Sequence, residues 1–482
     1  MIFRHIILIL CISIITGTNA FSAEVTIFGK APSFAGEEIT FSTYQNRITN
    51  HVQVMASPKV DNNGDFEATF NLDKTRYVFS ELGIFHAFLY AEPGKTYEIV
   101  LPPKKKKTTA QILNPFFKER NIHVGIKNSE MNDLNFLIKS FESSYQPYFR
   151  KHVTNVMVEN DFTAMDSAIQ SIKAPYLGIE SPYFNTYMKY RFGFLRYMAY
   201  QKKSRHISDQ FFLDEPVHYY NVAYMELFNK VYDKYFSFFS RTDYGKSIFT
   251  DISKNKSWTG LRKTLSKDNV LENDTLIELV ALKSLHDEFY SDEFSRSAIM
   301  AILDSIYLQT DIQIHKEIAK NIKEKISKLL IGYAPPSFQL YDKDSTVVTL
   351  DSLKGNYVYL NFCSCLSYSC FNEFGSIDRF LKRISPTVKN FKVLTVVVDE
   401  KFNTMQKCID RYDYDWTFAH YASQPSILKD YDIRGFPTYF LIGPDGNLLL
   451  SPAPSPSENF GERLFEIMRD RGELYNQKNK LP

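Results

Sequence analysis

The sequence has few cysteines and tryptophans and almost no net charge. Its 482 residues include five Cys and two Trp, and 57 Lys and Arg stand against 55 Asp and Glu, which leaves +2. Without a strong positive field, the chain has no electrostatic basis for binding nucleic acid. With so few cysteines it is not a disulfide scaffold. We therefore expect several domains held by hydrophobic cores, since 44% of the residues are hydrophobic.

Several catalytic motifs are also missing. The sequence contains no G-x-x-x-x-G-K-[ST], no G-x-G-x-x-G and no G-x-S-x-G. It has no H-E-x-x-H, and the histidines of its helical segments, His286 and His315, have no second ligand at i+4. No sequence motif therefore supports nucleotide binding, serine hydrolysis or zinc chemistry. We expect no metal and no cofactor.

Long hydrophobic runs are absent beyond the N-terminus. Ile6–Ile15 is an apolar run of ten residues, too short to span a bilayer, and it follows the positive Arg4 and His5. Thr18 and Ala20 supply the small residues of a cleavage site. The pattern predicts a signal peptide over residues 1–20 and an exported protein of the periplasm or cell envelope.

Residues 24–103 are predicted to form an antiparallel β-sandwich. The pair Asn63-Gly64 is typical of a tight turn, and Phe66, Ala68 and Phe70 then alternate with polar residues. Residues 104–131 are predicted to be a linker. It begins with four lysines, Lys104–Lys107, which suit either a solvated linker or peripheral association with an anionic membrane.

Residues 132–331 are predicted to be all-α. Ile314, Ile318, Ile322 and Ile326 recur every four residues and form one apolar stripe of a helix. The segment 181–200 contains eight aromatic residues. These aromatics suit a helix–helix core, with a peptide-binding groove as the alternative.

Residues 332–475 alternate strand and helix patterns and predict an α/β domain. The strand "NYVYLNF" is followed by a helix, and "FKVLTVVVD" has the nearly continuous apolar character of a strand covered on both faces. Three of the four cysteines left after the signal peptide lie from the end of that first strand to the first turn of its helix. They are Cys363, Cys365 and Cys370, and the fourth is Cys408.

Two segments of this domain resemble the TlpA/ResA family of envelope thiol–disulfide oxidoreductases, which have a thioredoxin fold. "GYAPPSFQLYDKDSTVVTLDSLKGNYVYLNF" is similar to the family's entry strand, and "YDIRGFPTYFLIGPDGNL" is similar to its later signature. The resemblance implies that Pro437 is the cis-proline beside the active site, and that Phe436 exposes backbone to a bound peptide. The whole layout is similar to that of exported multidomain proteins of Bacteroidetes-type bacteria.

The resemblance also implies a missing nucleophile. Laid on the family's motif, Asn361, Phe362, Cys370 and Glu373 match, but the attacking cysteine of C-x-x-C falls on Ser367. Serine forms no disulfide and is a far weaker acid than a thiol. It suits a helix N-cap, however, so Ser367 is expected to begin the helix, with Cys370 in the resolving position.

Two hypotheses about function follow. In the first, the domain is redox-impaired and binds or scaffolds an envelope protein or peptide. In the second, it is a thiol–disulfide oxidoreductase with a relocated pair, Cys363 or Cys365 with Cys370. A structural disulfide between Cys365 and Cys370 is also compatible with the spacing, and Cys408 is expected to be a small buried apolar residue.

Overall fold

The computed structural model describes residues 22–114, 116–159, 162–200, 203–291, 293–399, 401–412 and 414–473. The predicted signal peptide, residues 1–20, lies outside the described residues. The chain divides into two compact units. The N-terminal unit comprises the residues up to Lys106 together with Glu119–Glu288, and the C-terminal unit comprises Lys107–Lys118 together with the residues from Phe289 on.

The described residues form sixteen strands and fifteen α-helices. The strands are β1 (Ala23–Lys30), β2 (Phe41–Tyr44), β3 (Val52–Ala56), β4 (Asp65–Leu72), β5 (Arg76–Leu82), β6 (Phe85–Ala91), β7 (Thr96–Val100), β8 (Arg120–His123), β9 (Gly125–Ile126), β10 (Gln339–Asp342), β11 (Val347–Thr349), β12 (Tyr357–Cys363), β13 (Phe391–Val397), β14 (Thr417–His420), β15 (Thr438–Ile442) and β16 (Leu448–Ala453). The helices are α1 (Thr109–Leu113), α2 (Leu134–Glu159), α3 (Phe162–Lys173), α4 (Pro182–Ala199), α5 (Ser204–Phe211), α6 (Val222–Val231), α7 (Tyr235–Phe239), α8 (Trp258–Leu265), α9 (Asp274–Glu288), α10 (Arg296–Gln309), α11 (Gln313–Ser327), α12 (Tyr368–Ile384), α13 (Phe402–Tyr412), α14 (Ile427–Asp430) and α15 (Phe460–Asp470).

The N-terminal unit begins with two sheets that share one hydrophobic core. Their strand orders are β4-β1-β7-β9 and β3-β2-β5-β6-β8. In β4 the predicted alternation holds, because Phe66, Ala68 and Phe70 are buried in this core while the residues between them are exposed. Gly64, directly before this strand, has a φ of +87°, at which a side chain would be strained.

Two features of this region differ from the sequence prediction. The arrangement is not purely antiparallel, because β1 pairs with β7 in parallel and β6 pairs with β8 in parallel. The segment 104–131 is not simply a linker, because it supplies α1, β8 and β9. Strands β8 and β9 lie at sheet edges, and their partners β6 and β7 come much earlier in the sequence. Both strands are short, so they show little hydrophobic periodicity.

The helices of the N-terminal unit bury the aromatic residues singled out in the sequence. In α4, Phe184, Tyr187, Tyr190 and Phe192 are all buried. The hydroxyl of Tyr190 donates to the carbonyl of Phe211 at 2.9 Å, so its polar end is satisfied inside the core. This burial favours the helix–helix core over the peptide groove for these four residues.

The C-terminal unit contains helices as well as a sheet. α10 and α11 belong to it, and Ile318, Ile322 and Ile326 of the predicted stripe are buried. The helices within residues 132–331 are therefore divided between the two units. Within the residues that the structure describes, no helix combines the length and apolar character that crossing a bilayer requires.

A seven-stranded sheet carries the candidate site. Its order is β11-β10-β14-β13-β12-β15-β16, with β12 parallel to β13 and antiparallel to β15. Every residue of the central β12 is buried. Tyr359 and Cys363 face a core built with α12, α13 and α15, and Leu360 and Phe362 face the opposite core, which includes α14.

Candidate thiol site

The site lies where β12 ends and α12 begins. Cys363 is the last residue of the strand, and Ser367 is the N-cap residue of the helix, with φ −88° and ψ 123°. The helix therefore starts where the N-cap argument predicts. The Ser367 hydroxyl makes no capping hydrogen bond, however, and it interacts instead with the thiol of Cys370, one turn further on.

Cys363 and Cys370 form the first of two thiol pairs. Both side chains are 0% exposed, and their thiols interact with each other. The pKa of Cys370 is lowered, chiefly because the Cys363 thiol donates to it. The N–H of Ser364 also donates to its sulfur, at 3.3 Å, and burial opposes the shift. The pKa of Cys363 is raised, first by burial and then by the same thiol contact.

Cys365 and Cys408 form the second pair. Cys365 is partly exposed in the loop after β12, and its thiol contacts that of Cys408 on α13. The pKa of Cys408 is lowered because the Cys365 thiol donates to it. The pKa of Cys365 is raised by the same hydrogen bond and by burial. All four cysteines are free.

The second pair changes two sequence expectations. A disulfide between Cys365 and Cys370 is not present, because Cys370 has its thiol contact with Cys363 and Cys365 has its contact with Cys408. Cys408 is 8% exposed, as expected of a small buried residue, but it also has a thiol partner.

A buried carboxylate, Asp399, organises the loop between the thiols. One carboxylate oxygen accepts the hydroxyl of Ser364 at 2.5 Å, and the other accepts the backbone N–H of Cys365 at 2.7 Å. The backbone carbonyl of Asp399 accepts from His420 Nε2 at 2.8 Å. Asp399 was not among the site residues predicted from the sequence. Its only signal is an acidic residue directly after the apolar run of β13.

A groove of about 600 Å³ opens beside the loop. We call it the Phe436 groove. Its walls include Ser364, Ser367, Asp399, Phe436 and, from α1, Leu113. The Phe436–Pro437 peptide bond is cis, as the family resemblance implies. Leu366 and Tyr368, which flank Ser367, are 80% and 79% exposed.

The grouping of the four cysteines of this site bears on metal binding. Over the described part of the chain, no group of three or more His, Cys, Asp or Glu side chains is arranged to hold a metal ion. In the thiol site, the four cysteines divide into two contacting pairs.

Sheet order, the helix start after β12 and the thiol site together define the class of this unit, a thioredoxin-like domain. Comparison with known proteins agrees, because residues 331–450 match the model of the AhpC/TSA family. The thiol-disulfide oxidoreductase ResA of Bacillus subtilis (strain 168) is 28% identical over 127 residues, which are 26% of this chain and 68% of that protein.

A second ResA protein is related to this chain at a similar level. ResA of Bacillus thuringiensis subsp. konkukian (strain 97-27) is 26% identical over 125 residues, which are 26% of this chain and 70% of that protein. Among solved structures, the thioredoxin domain of a thiol-disulfide oxidoreductase from Bacteroides vulgatus has 21% identity and a TM-score of 0.25. That match covers 29% of this chain and 96% of the other chain. The C-terminal part of the chain is thus a thioredoxin-like domain similar to ResA, and the resemblance inferred from the sequence is confirmed.

Proposed function

We propose that the chain is an exported cell-envelope protein whose thioredoxin-like domain has lost its nucleophilic cysteine and functions in binding. The supporting observation is the side chain at the start of α12. Ser367 occupies the N-cap, while Cys370, the one cysteine that matches the family motif, is completely buried. Partner binding or scaffolding then replaces disulfide turnover.

The chemistry of disulfide exchange supports this proposal. A thiolate must reach the sulfur of an incoming disulfide, and helix N-termini favour that thiolate when the cysteine is exposed there. A serine hydroxyl at this position forms no mixed disulfide. Cys370 has the lowered pKa of a reactive thiol, but with 0% exposure it is inaccessible to a protein substrate.

Binding can use the Phe436 groove. An extended peptide adds to exposed backbone by strand addition, and such recognition needs no thiol. Beside the groove, Leu366 and Tyr368 supply exposed apolar surface. We infer an envelope protein or a peptide as the partner, with Phe436 and Pro437 as contact residues.

We propose the following domain boundaries for the rest of the chain. The strands within residues 24–103, to whose sheets β8 and β9 add one edge strand each, are taken as a β-sandwich domain. Residues 132–331 are taken as a helical region and 332–475 as the thioredoxin-like domain. Export rests on the signal peptide predicted at residues 1–20. Expression in a bacterial host with N-terminal sequencing of the envelope fraction tests it, and we expect a mature chain that begins at Phe21.

A second candidate function is favoured by one observation, the contact between the Cys363 and Cys370 thiols. These two cysteines form a relocated pair that an oxidoreductase could use if the loop opened to expose them. Cys365, by contrast, contacts Cys408 and is less suited to pair with Cys370.

One assay separates the two functions. The full chain is tested for dithiothreitol-dependent reduction of a synthetic peptide disulfide, beside the variants Ser367→Cys, Ser369→Cys and Cys370→Ala. Loss of the nucleophile predicts no turnover by the unchanged chain and a gain for Ser367→Cys. Ser369→Cys is the matched control, because it adds a thiol to the same helix turn without restoring C-x-x-C. Turnover by the unchanged chain that Cys370→Ala abolishes would reject the binding proposal in favour of the relocated pair.

A further inference from the structure

The contact between Cys365 and Cys408 joins two different elements. Cys365 lies in the loop after β12, and Cys408 lies 43 positions later on α13. Both pack in the same hydrophobic cluster, in which Cys408 is buried and Cys365 is partly buried. A bond between these sulfurs would tie the loop directly to the helix.

The loop is held so that the Cys365 side chain stays against α13. Asp399 accepts the backbone N–H of Cys365 at 2.7 Å and the hydroxyl of Ser364 at 2.5 Å. The Ser364 hydroxyl oxygen in turn accepts the N–H of Leu366 at 3.2 Å. These bonds hold the backbone of the loop in place on both sides of Cys365.

Cys365 is also the most exposed of the four cysteines of this domain. It is partly exposed, whereas Cys363 and Cys370 are 0% exposed and Cys408 is 8% exposed. A small disulfide can therefore approach Cys365 without unfolding the domain. The more buried Cys408 sits in contact with it as a resolving thiol.

We propose that Cys365 and Cys408 are a dithiol that a low-molecular-weight disulfide oxidises to an intramolecular disulfide, and that this bond locks the loop lining the Phe436 groove onto α13. The proposal does not depend on the loss of turnover at Ser367, because it uses neither Ser367 nor Cys370. On this proposal, the redox state of the dithiol controls the position of the groove wall formed by Ser364 and Leu366.

The exchange balances with oxidised glutathione as the oxidant. The Cys365 thiol passes its proton to the Cys408 sulfur that it donates to, and it attacks one glutathione sulfur. The glutathione S–S bond breaks, which gives a mixed disulfide and one glutathione thiolate. That thiolate takes the proton from Cys408, and the Cys408 thiolate then attacks the Cys365 sulfur and releases the second glutathione. Overall two protein thiols lose two protons and two electrons, one protein S–S bond forms, and one glutathione disulfide is reduced to two thiols.

The tryptic map of the chain makes the bond easy to identify. Cys363, Cys365 and Cys370 share the peptide Gly355–Arg379, whereas Cys408 is alone in the peptide Cys408–Arg411. The reduced full chain is incubated with excess oxidised glutathione, alkylated, digested without reductant and analysed by mass spectrometry. We expect a covalent link between these two peptides and a mass loss of two hydrogen atoms in the intact chain. A bond confined to Gly355–Arg379, or four alkylated thiols, would overturn the proposal.

Single variants identify the sulfur that links to Cys408. The link is expected to persist in Cys363→Ala and Cys370→Ala and to be lost in Cys365→Ala. In Cys408→Ala the mixed disulfide of glutathione with Cys365 should accumulate. Persistence of the link in Cys365→Ala would assign the bond elsewhere and reject the dithiol.

Hydrogen exchange tests the effect on the groove. Oxidation of the unchanged chain should slow amide exchange of residues 364–367 at least about tenfold, since the open state of the loop is suppressed. The same treatment of Cys365→Ala should have no effect. Equal exchange in the oxidised and reduced unchanged chain would overturn the proposed lock even if the disulfide forms.

Discussion

The Asp399 carboxylate accepts the backbone N–H of Cys365 at 2.7 Å. A residue that follows β13 thus holds the loop that follows the neighbouring β12, and its other oxygen accepts the hydroxyl of Ser364. Each carboxylate oxygen of Asp399 thus accepts one hydrogen bond. The loop held in this way has the Cys365 thiol in contact with Cys408.

Replacing Asp399 by Asn should destabilise the C-terminal unit. The amide keeps one acceptor oxygen and presents an NH2 group in place of the other, so either Ser364 or Cys365 loses its acceptor. We expect the free energy of unfolding to fall by about 1–3 kcal/mol. Asp410→Asn, on the exposed side of α13, should change it by less than about 0.5 kcal/mol.

Unfolding of this unit can be followed separately. The sequence contains two tryptophans, Trp258 in the N-terminal unit and Trp416 in the C-terminal unit. In a Trp258→Phe background, the fluorescence of Trp416 during guanidinium denaturation reports the C-terminal unit alone. Equal midpoints and slopes for Asp399→Asn and Asp410→Asn would contradict the assigned role of Asp399.

Thr395 should be less tolerant of a change to Val than to Ser. Its buried hydroxyl oxygen accepts from Asn361 Nδ2 at 3.2 Å and from Trp416 Nε1 at 3.0 Å. Valine preserves the shape but leaves both donors without that acceptor, with an expected cost of about 1–3 kcal/mol. Serine keeps the acceptor and loses only a methyl group, about 0.8 kcal/mol of burial. Denaturation in the same Trp258→Phe background measures the free energy of unfolding of both variants. A larger decrease for Thr395→Ser than for Thr395→Val would refute the hydrogen-bond argument.

His420 should make the C-terminal unit sensitive to acid. Its Nε2–H donates to the carbonyl of Asp399, and its Nδ1 accepts the N–H of Ala422 at 3.3 Å, so the neutral ring satisfies both contacts. Burial lowers the pKa of His420, and the hydrogen bond to Asp399 opposes this shift. Because the unfolded chain binds the proton more readily, stability is lost as the pH falls from about 6.5 towards the lowered folded pKa.

The slope of stability against pH measures this contribution. Between pH 7 and pH 5 the unchanged unit should lose up to about 1.4 kcal/mol per pH unit more than His420→Gln, which cannot titrate. Parallel stability curves for the two proteins would show that His420 does not take up a proton on unfolding.

The four thiols should differ in their rates of alkylation. Although the pKa of Cys365 is raised, it is the partly exposed thiol, and the fully buried Cys363 and Cys370 cannot meet the reagent without local opening. Iodoacetamide should label Cys365 at least about tenfold faster than Cys370 in the native chain. In guanidinium the difference should vanish. Faster native labelling of Cys370 would show that its lowered pKa dominates over burial and would support the relocated pair.

The sequence predicts this domain well where the signal is local. The segment ending in Asn361-Phe362 and the segment around Pro437 are contiguous signatures, and both lie where the family resemblance implies. The helix starts after Ser367 as predicted, although the serine hydroxyl makes no capping hydrogen bond. A stripe such as Ile318, Ile322 and Ile326 is visible because helical periodicity is a property of neighbouring residues.

Long-range pairings were not predictable in the same way. The Cys365–Cys408 contact depends on how α13 packs on the sheet, and no spacing rule relates residues 43 positions apart. The role of Asp399 requires that β12 and β13 lie side by side with known register. The parallel pairing of β6 with the short β8 was not predicted either. It depends on the path of the chain between the two strands and not on the composition of either strand.

The segment Lys107–Lys118 belongs to the C-terminal unit although it lies early in the sequence, and this affects the design of fragments of the protein. Leu113 of α1 packs against the core that contains Phe362 and Phe440. A fragment that starts at Phe289 therefore omits part of its own hydrophobic packing, although the omitted piece lies far upstream in the gene. Such a unit is continuous in space but interrupted in sequence. It is suited to fragment complementation, in which a separate peptide of residues 107–118 restores the stability that truncation removes.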